Sequence, residues 1–474
     1  MIRAGIGTAA ALACLLSGCA VGPKYKVPDV PITPAYKETN GWKAAHPSDQ
    51  VLRGSWWEIF GDPHLNSLEE QVPGNNQNLK GLEARFREAR AAIRFNHASE
   101  FPTISTAPSI ASIRDSSNTP YLPAGAARAT GDFVLPFDVS YELDFWGRVR
   151  RTVASAREFA QASAADLETA KLSLQAELAF DYFELRSADV QKQILDSTVE
   201  SYAAALRLTQ NRYQGGAAPK SDVAQAETQL ETAQAQDTDI GVQRAQYEHA
   251  IAILIGTPPA QFSVQAAASP LQPPDIPVGV PADLLERRPD IAAAERRVAA
   301  ASEQIGIARA AYFPTVMLSA AVGLEGTSFV NWLNWPSRLW AVGPSSVQTL
   351  FDAGRRRATS DAAMAGFDAS AADYRESALA AFQQVEDNLA ALRILEAEAR
   401  QQHQAVISAQ ESLQLFNNRY KGGVDTYLQV VTSQTIALVN ERNETDIQRR
   451  RMDATVLLIK ALGGGWNVSN LPKL

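Results

Sequence analysis

Cysteine is all but missing. Cys14 and Cys19 both lie within the first twenty residues, so no disulfide or thiolate cluster can hold the body of the chain together, and packing must supply its stability. Histidine is scarce as well: His46, His64, His97, His249 and His403 stand far apart with no HExxH spacing, which argues against a zinc site. Positive charge is not in excess. A formal charge of −8 disfavours a nucleic-acid partner, whose phosphates need clustered Lys and Arg. A nucleophile elbow and a phosphate-binding Gly-Lys loop are also absent, and Gly463-Gly464-Gly465 follows a helix pattern without the required Lys, so the sequence presents no enzyme site. What remains is a chain of 474 residues, 46% apolar, with ample material for a buried core.

Residues 1–18, MIRAGIGTAAALACLLSG, place Arg3 ahead of an apolar run, the layout of a secretory signal peptide and too short to span a bilayer. The run ends in Leu16-Ser17-Gly18-Cys19, which resembles a bacterial lipobox. Cys19 is therefore the expected lipidation site, carrying diacylglycerol and an N-acyl group, and no other cofactor is expected. In lipoproteins of this type an Asp after the modified Cys favours inner-membrane retention; here Ala20 follows, which points to the outer membrane. One acyl chain anchors weakly, whereas three would tether the chain firmly.

The chain is internally duplicated. NRYQGG at 211–216 returns as NRYKGG at 418–423, and Gly147-Arg148 and Gly256 return as Gly354-Arg355 and Gly463, all at one offset of 207 residues. Pro136 and Asp144 match Pro344 and Asp352 at 208, and Phe101-Pro102-Thr103 matches Phe313-Pro314-Thr315 at 212. Offsets that change only where loops can absorb them mean two copies of one architecture. The expected division is a signal peptide at 1–18, a lipidated segment at 19–62, a first repeat at 63–256, a proline-rich connector at 257–288, a second repeat at 289–463 and a tail at 464–474.

Glycine and proline are absent from Arg148 to Gln214, and the matching stretch Arg355 to Lys421 contains only Gly366. Each stretch predicts a helix of about 100 Å at ~1.5 Å per residue. Leu167, Leu174, Leu178 and Leu185, then Leu195, Val199, Tyr202 and Leu206, follow coiled-coil spacings. After each NRYxGG a returning helix is expected, over Ser221 to about Ile255 and Asp425 to about Leu462, with Gly215-Gly216 and Gly422-Gly423 capping the outgoing helices. Pro219 and Ser221, or Asp425 and Thr426, read as start signals.

Period two replaces period 3.6 at the other end of each long helix. Phe133, Leu135, Phe137, Val139, Tyr141, Leu143 and Phe145 alternate with a largely polar set that includes Asp138 and Glu142. Val316, Leu318, Ala320, Val322 and Leu324 alternate likewise, and Leu339 to Phe351 reads as their partner strand. This patterning predicts two hairpins, at about 101–145 and 313–351, with strands fit to face lipid on one side and a lumen on the other. Trp332, Trp335 and Trp340 cluster beside the second loop, as an aromatic belt or as loop packing. Four strands cannot close a barrel, and an open edge is untenable in lipid, so several chains must contribute; three would give twelve strands. If Phe137 and Tyr141 face lipid, Asp138 and Glu142 line the lumen and favour cations.

The lipobox with VGPKYKVP, the WWEIFGDPHLNSLEEQ segment, PADLLERRPDIAAAE at 281–295 and both turns resemble TolC/OprM-type outer membrane factors, in particular the lipoprotein branch serving RND efflux systems. The resemblance implies an α+β membrane protein with a duplicated TolC-like fold: a homotrimer with a twelve-stranded barrel, coiled-coil helical hairpins forming a periplasmic tunnel, and a mixed equatorial belt. It implies as partners outer-membrane lipid, a periplasmic adaptor and an inner-membrane RND pump, for drugs or other small molecules, with a gate at the helix tips that opens as the inner helices untwist. Arg212, Tyr213, Asp222, Arg419, Tyr420 and Asp425 then belong to the tips, where hydrogen bonds and ion pairs hold the closed state, unless each Arg-Tyr only caps its own helix. Leu428 matches a constricting Leu of such channels, but Thr432 stands where they carry Asp. The constriction is therefore apolar, or its acidic ring is displaced to Asp425. Gln214 and Lys421, the one difference between the hexapeptides, would alternate around the rim and distinguish two docking grooves. An exit duct for secreted proteins or metal ions, or a structural coiled-coil lipoprotein, are the competing functions.

Overall fold

The computed structural model describes residues 21–38, 54–114, 116, 129–268, 272–274, 276 and 283–474. The signal segment, Cys19, most of the loop after Arg114 and parts of the connector lie outside the described residues. The labelled elements are α1 (Gln77–His97), β1 (Thr103–Ser105), β2 (Ser109–Ile113), β3 (Thr130–Glu142), α2 (Arg148–Gln214), α3 (Lys220–Leu254), α4 (Pro289–Ala310), β4 (Thr315–Gly326), β5 (Arg338–Val347), α5 (Arg355–Lys421) and α6 (Tyr427–Ala461).

The 207-residue offset holds at both ends of four helices. α2 and α5 each run 67 residues and α3 and α6 each run 35. Asp144 starts α2 by accepting from the backbone N–H of Val149 and Arg150, and Asp352 starts α5 by accepting from Gly354 and Arg356. The carboxylates suit the positive end of a helix. The returning helices start one residue earlier than expected at Lys220 and two later at Tyr427, and neither Pro219 nor Thr426 makes a side-chain cap.

No described helix is long and apolar enough to cross a membrane. The sheet carries the lipid-compatible surface instead. Its strands form an antiparallel meander in the order β1/β2, β3, β4, β5, leaving β1/β2 and β5 as edges. Register puts Phe133, Leu135, Phe137, Val139 and Tyr141 on one face with Leu318, Ala320, Val322 and Leu324, and with Trp340 and Val342. Asp138 and Ser140 lie on the other face with Ser319, Ala321 and Gly343.

Both hairpins are shorter than the alternation suggests. β3 ends at Glu142, whose carboxylate takes Nε of Arg148 at 2.9 Å, and β5 ends at Val347. The strand opposite β3 is split. Pro108 has no N–H to donate to the ladder, and Pro136, opposite the gap, has its carbonyl taken by Thr106 Oγ1 at 2.6 Å. β1 and β2 nevertheless keep one register on β3.

The main core sits around the middle of the long helices. Leu178, Tyr182 and Leu185 of α2 meet Ile251 of α3, Ile291 and Val298 of α4, Val385 and Leu389 of α5 and Val456 and Leu458 of α6. Trp56, Trp57 and Leu65 of the N-terminal segment complete it. Burying these large side chains contributes about 1.5–3 kcal/mol each. Leu195 and Tyr202 continue the buried stripe of α2 towards its far end.

Buried charge fixes the connector against this core. Asp189 pairs with Arg186 at 3.2 Å and Arg244 at 2.7 Å and accepts from the Ala267 N–H, while the two arginines donate to the carbonyls of Gln265 and Val264. Breaking such a network strands a charge and costs about 3–5 kcal/mol. In the RRPDI stretch, Arg288 grips Asp290 with two nitrogens and donates to Gln384 and to the Ala461 carbonyl, joining α4, α5 and α6.

Candidate functional site: the paired helix turns

The two glycine pairs act through their second members. Gly216 and Gly423 have φ of +74° and +75°, in the left-handed region, whereas Gly215 and Gly422 keep negative φ. Gly216 N–H donates to Tyr213 O and Ala217 N–H to Arg212 O; Gly423 and Val424 repeat this on Tyr420 and Arg419. Both turns are thus Schellman caps, and the shared hexapeptide encodes one backbone geometry twice.

The side chains diverge. Arg212 reaches across to the second turn, where its guanidinium donates to Tyr420 O and lies over the Tyr420 ring, 4.5 Å from the centroid. Arg419 stays at home, with Nε 2.5 Å from Asp425 in its own turn. The cause is local: the second turn offers Asp425 where the first has Ala218.

The tyrosines divide in the same way. Tyr420 is 3% exposed and packs on Tyr427 at 5.2 Å, in a small cluster with Ala226 and Val430. Tyr213 is 45% exposed. Burial pushes the Tyr427 hydroxyl up to about 12, with Tyr420, Tyr202 and Asp222 adding to it. The buried Tyr420 hydroxyl and Arg212 Nε have no hydrogen-bond partner among the described residues, and such an unpaired buried group costs about 1–3 kcal/mol. The contact between hairpins is therefore held by ring and guanidinium while carrying an internal penalty. Tyr427 is the functional residue that sequence reasoning missed. Its signal was available: the 207-residue offset sets Tyr427 against Lys220, an aromatic where the other copy has a cation.

Leu428 lies on an exposed apolar stripe of α6 with Ile436 and Val439. The corresponding residues of α3 are Ser221, Gln229 and Thr232, so only the second returning helix has this stripe. Thr432 lies on it too, its hydroxyl spent on the Leu428 carbonyl of its own helix at 2.9 Å. Asp425, the alternative acidic position, is offset by Arg419. Asp222 sits in the first turn of α3, its N–H donating to Pro219 O.

In the sheet, Asp138 and Glu142 share the polar face, as expected, but Glu142 is engaged by Arg148. Asp132 and Glu325 belong to that same face. Every carboxylate within the strands thus lies on one side, away from the apolar surface.

The profile of the outer membrane efflux protein family matches residues 68–257 and 280–464. A probable efflux pump outer membrane protein, SepC, and a toluene efflux pump outer membrane protein, TtgF, both of Pseudomonas putida, are each 32% identical over 471 residues, covering 98% of this chain and 97% of each relative. Among solved structures, the outer-membrane channel OprN superimposes with a TM-score of 0.86 at 30% identity, covering 94% of this chain and all of that one. The MtrE outer membrane channel of Neisseria gonorrhoeae, solved in an open state, gives 0.84 at 26%, covering 95% and 99%. Duplicated helical hairpins, an amphipathic sheet and these likenesses over nearly the whole chain lead to one assignment: the protein belongs to the outer membrane efflux protein family and is an outer-membrane efflux channel of TolC-like fold.

Proposed function

We propose that three copies of this chain form a passive exit duct, its barrel in the outer membrane and its helical tunnel in the periplasm, closed at the paired turns until a periplasmic adaptor and an inner-membrane pump engage them. The sheet carries this reading: four strand positions with two open edges and one apolar face are stable in lipid only when other chains cover the edges. Three chains supply twelve strands. Relatives are named for efflux of toluene and solvents, which favours small apolar molecules as substrates, and such relatives are channels and not enzymes. Diacylglycerol and an N-acyl chain at Cys19 would add a second hold on the membrane.

The gate assignment rests on the Arg212–Tyr420 contact between hairpins and on the apolar stripe at Leu428. Asp138, with its lumen-side neighbours, gives the barrel a cation preference. Native mass spectrometry of detergent-extracted protein should show a trimer, and a monomer without pore activity would overturn the duct. In planar bilayers Tyr420→Ala should raise single-channel conductance several-fold, and unchanged conductance would remove the gate from these turns. An anion-selective reversal potential would reject the barrel charge assignment.

A further inference from the structure

The connection between β4 and β5, residues 327–337, lies at the end of the sheet away from the long helices. It contains two short helical turns, Phe329–Trp332 and a 3₁₀ turn at Trp335–Ser337. Ring contacts decide which way it folds. Phe133 packs against Trp332 at 5.8 Å and Phe329 at 6.3 Å, and Phe133 belongs to the apolar face of β3. Gly326, the register partner of Phe133, leaves room for this return: a Cβ there would stand 3.0 Å from the Trp332 Cα. The connection therefore turns outward over the lipid-facing side instead of across the mouth of the lumen, where it would have met the polar face with Asp132 and Glu325.

Its own outer surface is apolar and open. Phe329, Val330, Leu333 and Trp335 are 64–82% exposed. At its end stands Arg338, the one cation within the five strands, and register places it on the apolar face with Trp340 and Val342. Arg338 pairs with no carboxylate among the described residues. Its guanidinium lies 4.8 Å from the Trp335 ring centroid and donates to Trp335 O at 3.2 Å, which holds the fork in place and leaves its other donors without a partner among the described residues.

We propose that residues 329–338 are a lipid-docking site at the outer rim of the barrel: the apolar side chains enter the acyl region of the outer leaflet, and Arg338 takes a phosphate of the phosphorylated glycolipid of that leaflet. The site continues the lipid-facing sheet surface, so lipid is the occupant its position supplies. Aromatic rings with polar edges settle at the membrane interface, and a planar guanidinium matches phosphate with two parallel donors. Sorting of charge between the faces supports the phosphate. Every strand carboxylate faces the lumen, and the single strand cation faces lipid at the headgroup end.

The proposal rests on the outer-membrane assignment, and one set of labels separates their failures. Spin labels at Val330→Cys, Val342→Cys and Ala321→Cys, in the full-length protein reconstituted into phosphatidylcholine vesicles containing lipid A, should show the first two accessible to oxygen and shielded from a water-soluble nickel chelate, and the third reversed. A nickel-accessible Val330 position beside a shielded Val342 position overturns the docking site alone; a nickel-accessible Val342 position overturns membrane insertion of the sheet. Native mass spectrometry reads the phosphate: Arg338→Gln should retain roughly tenfold less lipid A than the unaltered channel, and Arg338→Lys, which keeps the charge but loses the two-donor fork, an intermediate amount. Undiminished lipid A on Arg338→Gln, or phosphatidylglycerol retained as strongly as lipid A in parallel vesicles, refutes the glycolipid site.

Discussion

The first and second hairpin turns share a backbone and differ in allegiance. Both end a 67-residue helix in a Schellman cap with φ near +75° at the second glycine. Arg212 nevertheless binds the opposite turn, while Arg419 binds its own. Duplication supplied the scaffold, and three positions broke its symmetry: Ala218 against Asp425, Lys220 against Tyr427, and Ser221 against Leu428. One turn became the clasp and the other the thing clasped. The proposed ring of turns is therefore threefold in its contacts although sixfold in its backbone.

Removing the clasp should have the largest effect. Arg212→Ala is expected to raise single-channel conductance several-fold in planar bilayers, as Tyr420→Ala should. Tyr420→Phe should leave conductance unchanged, since the buried hydroxyl it removes has no partner. Transplanting the difference comes next. Ala218→Asp gives Arg212 a carboxylate at home, as Asp425 does for Arg419, and should raise conductance by an intermediate amount. Arg419→Ala should do less than Ala218→Asp in the same assay: its partly exposed ion pair is worth at most about 1 kcal/mol and lies within one turn. An Arg419→Ala effect equal to that of Arg212→Ala would erase the distinction between the turns. The shared part can be tested by thermal unfolding, where Gly216→Ala and Gly423→Ala should each destabilise by about 1 kcal/mol and by the same amount, because each forces an L side chain into positive φ. Unequal losses would show that the two caps are not equivalent.

The long helices were legible to the residue, because glycines bound each helix and neither helix holds proline. Strand ends were less so. The alternation from Phe133 to Phe145 runs past the ladder, and nothing in the periodicity marks Glu142 as the residue that Arg148 engages. Pro108 was a visible cue to the break between β1 and β2, since it lacks the donor a ladder needs. At the turns, the hexapeptides located the site and fixed its geometry. They could not show that Arg212 meets Tyr420, 208 residues away, for motifs that share Asn-Arg-Tyr and Gly-Gly give the same local expectation. Residues downstream of each motif, such as Ala218 against Asp425 and Lys220 against Tyr427, separate the two. Cys19, its acyl groups and the adaptor and pump remain readings of sequence and resemblance.

Equal helix lengths in the two copies carry an evolutionary consequence. Deleting one residue inside α2 would rotate everything beyond it by about 100° and draw the first turn back by about 1.5 Å, carrying Arg212 away from Tyr420. Compensation would need the same deletion in α5, with both returning helices trimmed to match. Length in this molecule is thus inherited as a linked quartet, and substitutions can drift along the tunnel far more freely than insertions or deletions.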